Sequence, residues 1–253
     1  MRQKTLHADR RFHVPHLGRP GDTAALGSDE AHHLARVLRL RQGDRVSVFD
    51  GAGREFLAEV SSAARANATV TLLEPIEPPA EPRVPFSIVQ GVLKGQAMDE
   101  VVRDAAMIGA SSIDPIVTAH VAVKASLISR TETIDRWRRI ALASTRQCRR
   151  AVLPRVREPS EFGGWLAAAE QAMKLLLVEP SARTSAVSFR ALMAQRAPAS
   201  AALIVGPEGG WTDEEIDAAV AAGCLPVTLG ALTLRADAVA LAAGCLFRFL
   251  WEP

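Results

Sequence analysis

The segment from Glu74 to Pro85, EPIEPPAEPRVP, divides the chain into two stretches with different periodicities. Pro75, Pro78, Pro79, Pro82 and Pro85 fall within eleven residues. Each fixes φ and removes a backbone donor, so the segment reads as a stiff linker. Before it, the short runs VSVFD (46–50), REFLAEV (54–60) and ATVTLL (68–73) are separated by turn signals, among them Asp50-Gly51 followed by Gly53. That is the pattern of a small antiparallel barrel, interrupted by one short helix around Asp29–Leu38. After it, apolar runs such as FSIVQGVL, SIDPIVT, MKLLLVE, AALIVG and LPVTLG alternate with helical patterns. The alternation predicts an α/β fold, a mainly parallel sheet with helices on both faces. At about 150 residues per domain, 253 residues hold two modest domains, here 1–75 and 86–253.

Composition excludes several other classes. Apolar residues make up 48% and charged residues 23%, the balance of a globular chain rather than a disordered one. Cys148, Cys224 and Cys245 form an odd, widely spaced set without a C-x-x-C, which suggests neither a disulfide framework nor a zinc cluster and fits a reducing cytoplasm. The longest strongly apolar run, Ala238 to Phe247, is ten residues, half of what a bilayer requires. The start, MRQKTLHADRR, lacks a signal peptide's apolar segment, so no membrane association is expected.

The net charge of +2 conceals an uneven distribution. Residues 79–200 carry 17 basic and 11 acidic side chains, a balance of +6, whereas residues 201–253 carry 2 and 7, a balance of −5. Nine arginines lie between Arg130 and Arg157. A planar donor fork suits phosphate and base recognition, although a general preference for Arg over Lys accounts for 26 arginines among 30 basic residues equally well.

The chemistry concentrates after the strand AALIVG. Residues Ala201–Val205 run into Gly206-Pro207-Glu208-Gly209-Gly210, and Thr212 with Glu215 forms a capping box that opens the next helix. The loop has neither a G-x-G-x-x-G fingerprint nor a phosphate-binding lysine, and Glu208, Asp213, Glu214 and Glu215 would repel an anion. Two readings stay open. The glycines and acids make a tight turn and complement the helix dipole, or they admit the backbone to a neutral or cationic ligand such as an adenosine joined to a sulfonium. A second loop, ALTLR (231–235), follows the strand LPVTLG and enters the last helix, so two neighbouring turns are placed to close around one ligand.

IVGPEGGWTDEEI from Ile204 and VTLGALTLRADAVAL from Val227 resemble the signature of the SPOUT class of S-adenosylmethionine-dependent RNA methyltransferases, and within it the RsmE family of 16S ribosomal RNA uridine N3-methyltransferases. RRFHVP (10–15), HHLARVLRLRQGDRVSVFDGAGREF (32–56), VLKGQAMDEVVRDAAMIGASSIDPIVT (92–118) and RWRRIALASTRQCRRAVLPRV (136–156) occur in the family's order. The resemblance implies a PUA-like β-barrel for RNA docking, a trefoil-knotted methyltransferase domain, a homodimer and S-adenosylmethionine as cofactor. It places Val178, Glu179, Gly206, Pro207, Glu208, Gly209, Gly210, Leu229, Gly230, Leu232, Leu234 and Arg235 around that cofactor. The chain departs from the family at Met107-Ile108-Gly109, where Glu-Leu-Gly is usual, and at Ala119-His120, where an Arg is usual. It also departs at Arg149, where Gly is common, and at Arg235-Ala236-Asp237-Ala238-Val239, where Arg-Thr-Glu-Thr-Ala is usual.

Uridine N3 carries a proton at neutral pH, so the protein must position the base and either remove that proton or stabilise the resulting anion, the candidates being a carboxylate or His for the proton and an Arg for the anion. The resemblance implies Arg235, Asp237, Arg150 and Gln147 as catalytic residues; for Asp237 the other reading is an acid complementing the first turn of the last helix. At 100° per residue, Ile134, Trp137, Ile140, Ala141, Ser144, Cys148 and Ala151 share one arc of helix 134–150, and Arg136, Arg139, Arg146 and Arg150 share another. The first arc is expected to pack and the second to grip phosphates, with a solvated charged face as its alternative. Arg10, Arg11, His33, Arg36, Arg39 and Lys94 complete the RNA contacts that the resemblance implies. The histidines lack partners at metal-ligand spacing, so no metal is expected. The expectation is a cytoplasmic homodimer acting on 16S rRNA or the small ribosomal subunit. Its alternative is a non-catalytic, RNA-binding ribosome-assembly factor of the same fold.

Overall fold

The computed structural model describes residues 10–64, 67–122 and 130–252. Most of the polar start MRQKTLHADRR therefore lies outside the described residues. By contacts the chain forms two compact units, one of residues up to Glu81 together with Leu142–Leu153, the other of Pro82–Ala141 and Pro154–Pro253. The sequence boundaries assigned the whole of 142–153 to the second domain. Local helical periodicity does not reveal which body a helix end packs against.

In the first unit, β1 (Arg11–His13), β2 (Thr23–Ala25), β3 (Arg45–Phe49), β4 (Glu55–Ser62) and β5 (Thr69–Ile76) form a sheet in the order β1-β3-β4-β5-β2. The predicted runs became β3, β4 and β5, which pair antiparallel. The expectation of a purely antiparallel arrangement is corrected at β1, which pairs parallel with β3. At three residues each, β1 and β2 are too short to show alternation. The β3–β4 turn is built by Asp50, whose carboxylate accepts the Ala52 and Arg54 amides at 2.8 and 3.0 Å, while Gly51 and Gly53 take positive φ. Burial opposes ionisation of Asp50, but the Arg54 guanidinium and these amides outweigh it and hold the carboxyl below its usual range. The expected helix is present as α1 (Ser28–His32), continued by a π-helical turn over His33–Val37. Alternate strand residues such as Val46, Val48, Ala58, Val60, Val70 and Leu72 meet Phe12 and Leu34 in one core.

The second unit holds β6 (Phe86–Gly91), β7 (Ser112–Val117), β8 (Arg155–Val156), β9 (Ser160–Glu161), β10 (Met173–Leu177), β11 (Val187–Ser188), β12 (Ala201–Val205) and β13 (Leu225–Thr228). Among the described residues, every pairing in this sheet is parallel, in the order β11-β13-β10-β12-β6-β7-β8 with β9 beside β7. Its helices are α2 (Ala97–Met107), α3 (Thr131–Gln147, whose residues 142–147 belong to the first unit), α4 (Phe162–Ala168), α5 (Asp213–Ala221) and α6 (Ala236–Trp251). Alternation along β6 shows that both faces are covered. Phe86 meets Phe247 of α6, ring centroids 5.2 Å apart, whereas Val89 packs with Phe162 and Trp165 of α4 and Ile216 of α5. A Cβ on Gly244 would fall 2.2 Å from Ile108 Cδ1, so a larger residue there would require the Ile108 side chain to move aside. Helix α4 was not anticipated because Gly163-Gly164 lies in its first turn.

Candidate functional site

The sheet register prepares the site. Val227 pairs with Leu177, Leu177 with Val205, and Val205 with Gln90, so four strands end in one row. Ligands of open parallel sheets bind beyond such carboxyl ends. Here a cavity of about 270 Å³ opens, walled by Val178, Glu179 and Pro180 after β10, Gly206–Glu208 with Gly210 and Trp211 after β12, and Leu229, Gly230 and Leu232–Arg235 after β13.

The β12 loop is held from several sides. Buried Gln90 donates Nε2 to the Gly206 carbonyl at 3.0 Å, and the Trp211 indole donates to the Leu177 carbonyl at 2.9 Å. A Cβ on Gly91 would lie 2.6 Å from Pro207 N, so glycine is what lets β6 end against this loop. Gly210 closes the turn at φ +71°, its amide donating to the Pro207 carbonyl at 3.0 Å. The predicted capping box is present: Glu215 N donates to Thr212 Oγ1 at 3.1 Å, and Thr212 N donates to Glu215 Oε2 at 3.0 Å.

Two of the four acids near the loop act as fasteners. Glu208 Oε1 accepts the Lys94 amide and Glu215 Oε1 accepts the Ala119 amide, both at 2.8 Å, which ties the loop to the segments after β6 and β7. The cavity wall still carries Glu179, Glu208 and Asp237 against Arg235 alone, an excess of negative charge suited to a cation. Asp237 stands in the first turn of α6, and Arg235 pairs with it through Nε–Oδ1 at 3.1 Å and Nη2–Oδ2 at 3.3 Å.

Of the expected cofactor residues, all but Gly209 line this cavity; Gly209 backs onto His120, whose Cβ lies 2.7 Å from where a Cβ on the glycine would stand. The expected catalytic residues Arg235 and Asp237 line it as well, while Gln147 and Arg150 are built into the first unit. Leu93, Ala97, Trp211, Thr233 and Val239 line the cavity and were missed. Trp211 was legible as the residue ending the glycine run, whereas Leu93 and Ala97 sit in a segment with no distinguishing motif.

The expected RNA contacts divide. Arg36, Arg39, Lys94, Arg136 and Arg139 are exposed, and Arg10 and His33 are half-buried. Arg11 is corrected: at 3% exposure its guanidinium is bonded to protein groups throughout, so it offers no surface to a phosphate. Arg150 is buried and its side chain pairs with Glu81 at 2.5 Å. Arg146 pairs with Glu30, whose carboxyl burial pushes upward against the lowering influence of Arg146, and Arg136 pairs with Asp99. The arc of four arginines is therefore no uniform phosphate-gripping face, whereas Ile134, Trp137, Ala141, Ser144 and Ala151 of the other arc are buried as expected.

The RNA methyltransferase domain model matches residues 80–247, and the RNA methyltransferase PUA domain model matches residues 26–73. The chain is 34% identical to Ribosomal RNA small subunit methyltransferase E of Synechocystis sp. over 85% of its length and 69% of that protein. The chain belongs to the ribosomal RNA small subunit methyltransferase E family. The family member from Mycobacterium bovis is 29% identical over 95% of this chain and 93% of its own. A crystal structure of the member from Neisseria gonorrhoeae, bound to S-adenosyl methionine, superposes with a TM-score of 0.85 at 26% identity, covering 96% of this chain and 98% of that one. Among the described residues, no group of three His, Cys, Asp or Glu side chains is arranged to hold a metal, and no helix is long and apolar enough to cross a membrane.

Proposed function

We propose that the protein methylates N3 of a uridine in 16S ribosomal RNA with S-adenosylmethionine as donor. The observation that carries this reading is the cavity walled by the loops after β10, β12 and β13, with Arg235 and Asp237 at its edge, in a chain of this family. The residues fit the donor. Its adenosine needs close backbone contact, which glycine-bearing loops provide, and its sulfonium suits a wall with three carboxylates and one guanidinium. Once bound, the donor supplies an electrophilic methyl group on a positively charged sulfur.

The chain's own residues have three tasks. The loops exclude water and hold the methyl in line with N3. Asp237 accepts the N3 proton, leaving an electron pair on nitrogen to form the new N–C bond as the C–S bond breaks. Arg235 stabilises the uridine anion before transfer. Gln147, exposed at the end of α3, orients the base, whereas Arg150, buried against Glu81, is corrected from a base contact to a support of that turn. Arg10, His33, Arg36, Arg39, Lys94, Arg136, Arg139 and Arg146 are the remaining residues assigned to the RNA side. In this reading residues 1–75 dock RNA, residues 86–253 form a trefoil-knotted methyltransferase domain, and the protein works in the cytoplasm. The homodimer of this reading is supported by the apolar side of α6, where Leu241, Leu246 and Phe249 are exposed.

Mass spectrometry of 16S rRNA from a strain lacking the gene tests the reading. Loss of one N3-methyluridine, restored by the wild-type gene, is expected. Unchanged rRNA modification would instead support the assembly-factor alternative, which no observation here favours.

A further inference from the structure

Every nitrogen of the Arg11 guanidinium is engaged. The residue lies on β1 with 3% of its surface exposed, its guanidinium 4.0 Å from the Phe49 ring centroid. Nε and Nη2 donate to the two Glu55 carboxylate oxygens at 2.9 and 2.8 Å. Nη1 donates to the Thr145 carbonyl at 3.1 Å and Nη2 to the Arg150 carbonyl at 2.7 Å.

Those carbonyls flank the C-terminal end of α3, where carbonyls have no partner within the helix. Between them the chain reverses through Arg149 at φ +68°. The β3–β4 turn grips the residues just past this reversal: Gly53 N donates to the Ala151 carbonyl at 3.1 Å, and Leu153 N to the Gly51 carbonyl at 2.9 Å. The barrel-side sheet thus holds segment 145–153 by its backbone, with Arg11 bridging both ends of the reversal that contains Gln147.

A buried ion pair is a poor way to gain stability, because well-packed apolar residues of similar volume serve as well or better. What apolar residues cannot do is bind carbonyls in a fixed direction. We propose that Arg11, held by Glu55, is a positioning residue that fixes the turn carrying Gln147 for the target base. This rests on the proposed function, in which Gln147 faces the base.

The test is the pair replacement Arg11→Met with Glu55→Leu, assayed on small ribosomal subunits lacking the methyl group, beside Arg11→Lys and Gln147→Ala. With the melting temperature and S-adenosylmethionine affinity retained, kcat is expected to fall about tenfold to a hundredfold, the scale set by ångström misplacement. Amide exchange over 145–151 should accelerate in the pair variant and, to a smaller degree, in Arg11→Lys, which keeps charge but loses the fork. A folded pair variant with wild-type kcat and unchanged exchange overturns the proposal. If the pair variant does not fold, unchanged exchange and kcat in Arg11→Lys overturn it. An inactive Gln147→Ala beside a fully active Arg11 variant removes the positioning role and leaves the base-facing reading intact. A fully active Gln147→Ala removes that reading, and the positioning role with it.

Discussion

Two bidentate Arg–carboxylate pairs show how location decides what the same chemistry does. Arg235–Asp237 sits at the cavity with 80% of the Arg235 side chain exposed, and Arg11–Glu55 is buried with side-chain exposures of 3% and 8%. Water screens the first pair, so it contributes little to folding and its members can exchange partners when a ligand arrives. The second has lost its hydration, and removing one partner leaves an uncompensated buried charge. Both pairs lie in segments that resemble family motifs, yet the exposed one is available for chemistry and the buried one builds the scaffold.

Crossed substitutions sharpen this contrast. Asp237→Asn should lower turnover by about 10²-fold or more, the range for loss of a proton-accepting group, while leaving the thermal transition and cofactor affinity close to wild type. Steady-state kinetics and calorimetry check it, and unaltered turnover would remove Asp237 from the mechanism. Glu55→Ala should do the reverse at the level of folding, costing about 3–5 kcal/mol by stranding Arg11 in the core. Denaturant titration measures that loss; a change below about 1 kcal/mol, the value of an exposed pair, would erase the distinction between the two sites.

A smaller effect is expected beside the buried pair. Arg149 holds φ +68°, a conformation that costs a residue with a Cβ about 1–2 kcal/mol relative to glycine. Arg149→Gly should therefore raise stability by about 1 kcal/mol, read from the denaturation midpoint. The smallest effect concerns His13, where burial lowers the pKa below its ordinary 6.5, Asp50 opposing and Arg146 assisting. The unfolded chain binds the proton more readily, so this contribution to stability is present above about pH 6.5 and is lost as pH falls toward the depressed value. His13→Gln should flatten the stability–pH curve in that window.

Elements with a strong period were legible in the sequence, as was the glycine loop with its capping box. The eight-residue strands β4 and β5 and the alternating α/β order could be read directly, because one buried face imposes a repeat. The parallel pairing of β1 could not, since three residues carry no repeat and pairing depends on distant partners. The cavity loops were legible because glycine and proline mark backbone requirements locally. Leu93 and Ala97 were not, because a cavity wall needs apolar groups without dictating their spacing. Arg11 was misjudged for a related reason: a sequence shows that an arginine is present, and only the tertiary structure shows that Glu55, Thr145 and Arg150 exhaust its donors.

The central claim is that the turns around 206–211 and 229–235 enclose a methyl donor. A crystal of the protein grown with S-adenosylmethionine tests it most directly. The expected density lies between those turns, with the adenosine against the Gly206–Trp211 backbone and the sulfonium methyl open toward Arg235 and Asp237. Density elsewhere on the chain, or a cavity that stays empty at saturating donor, would contradict the account.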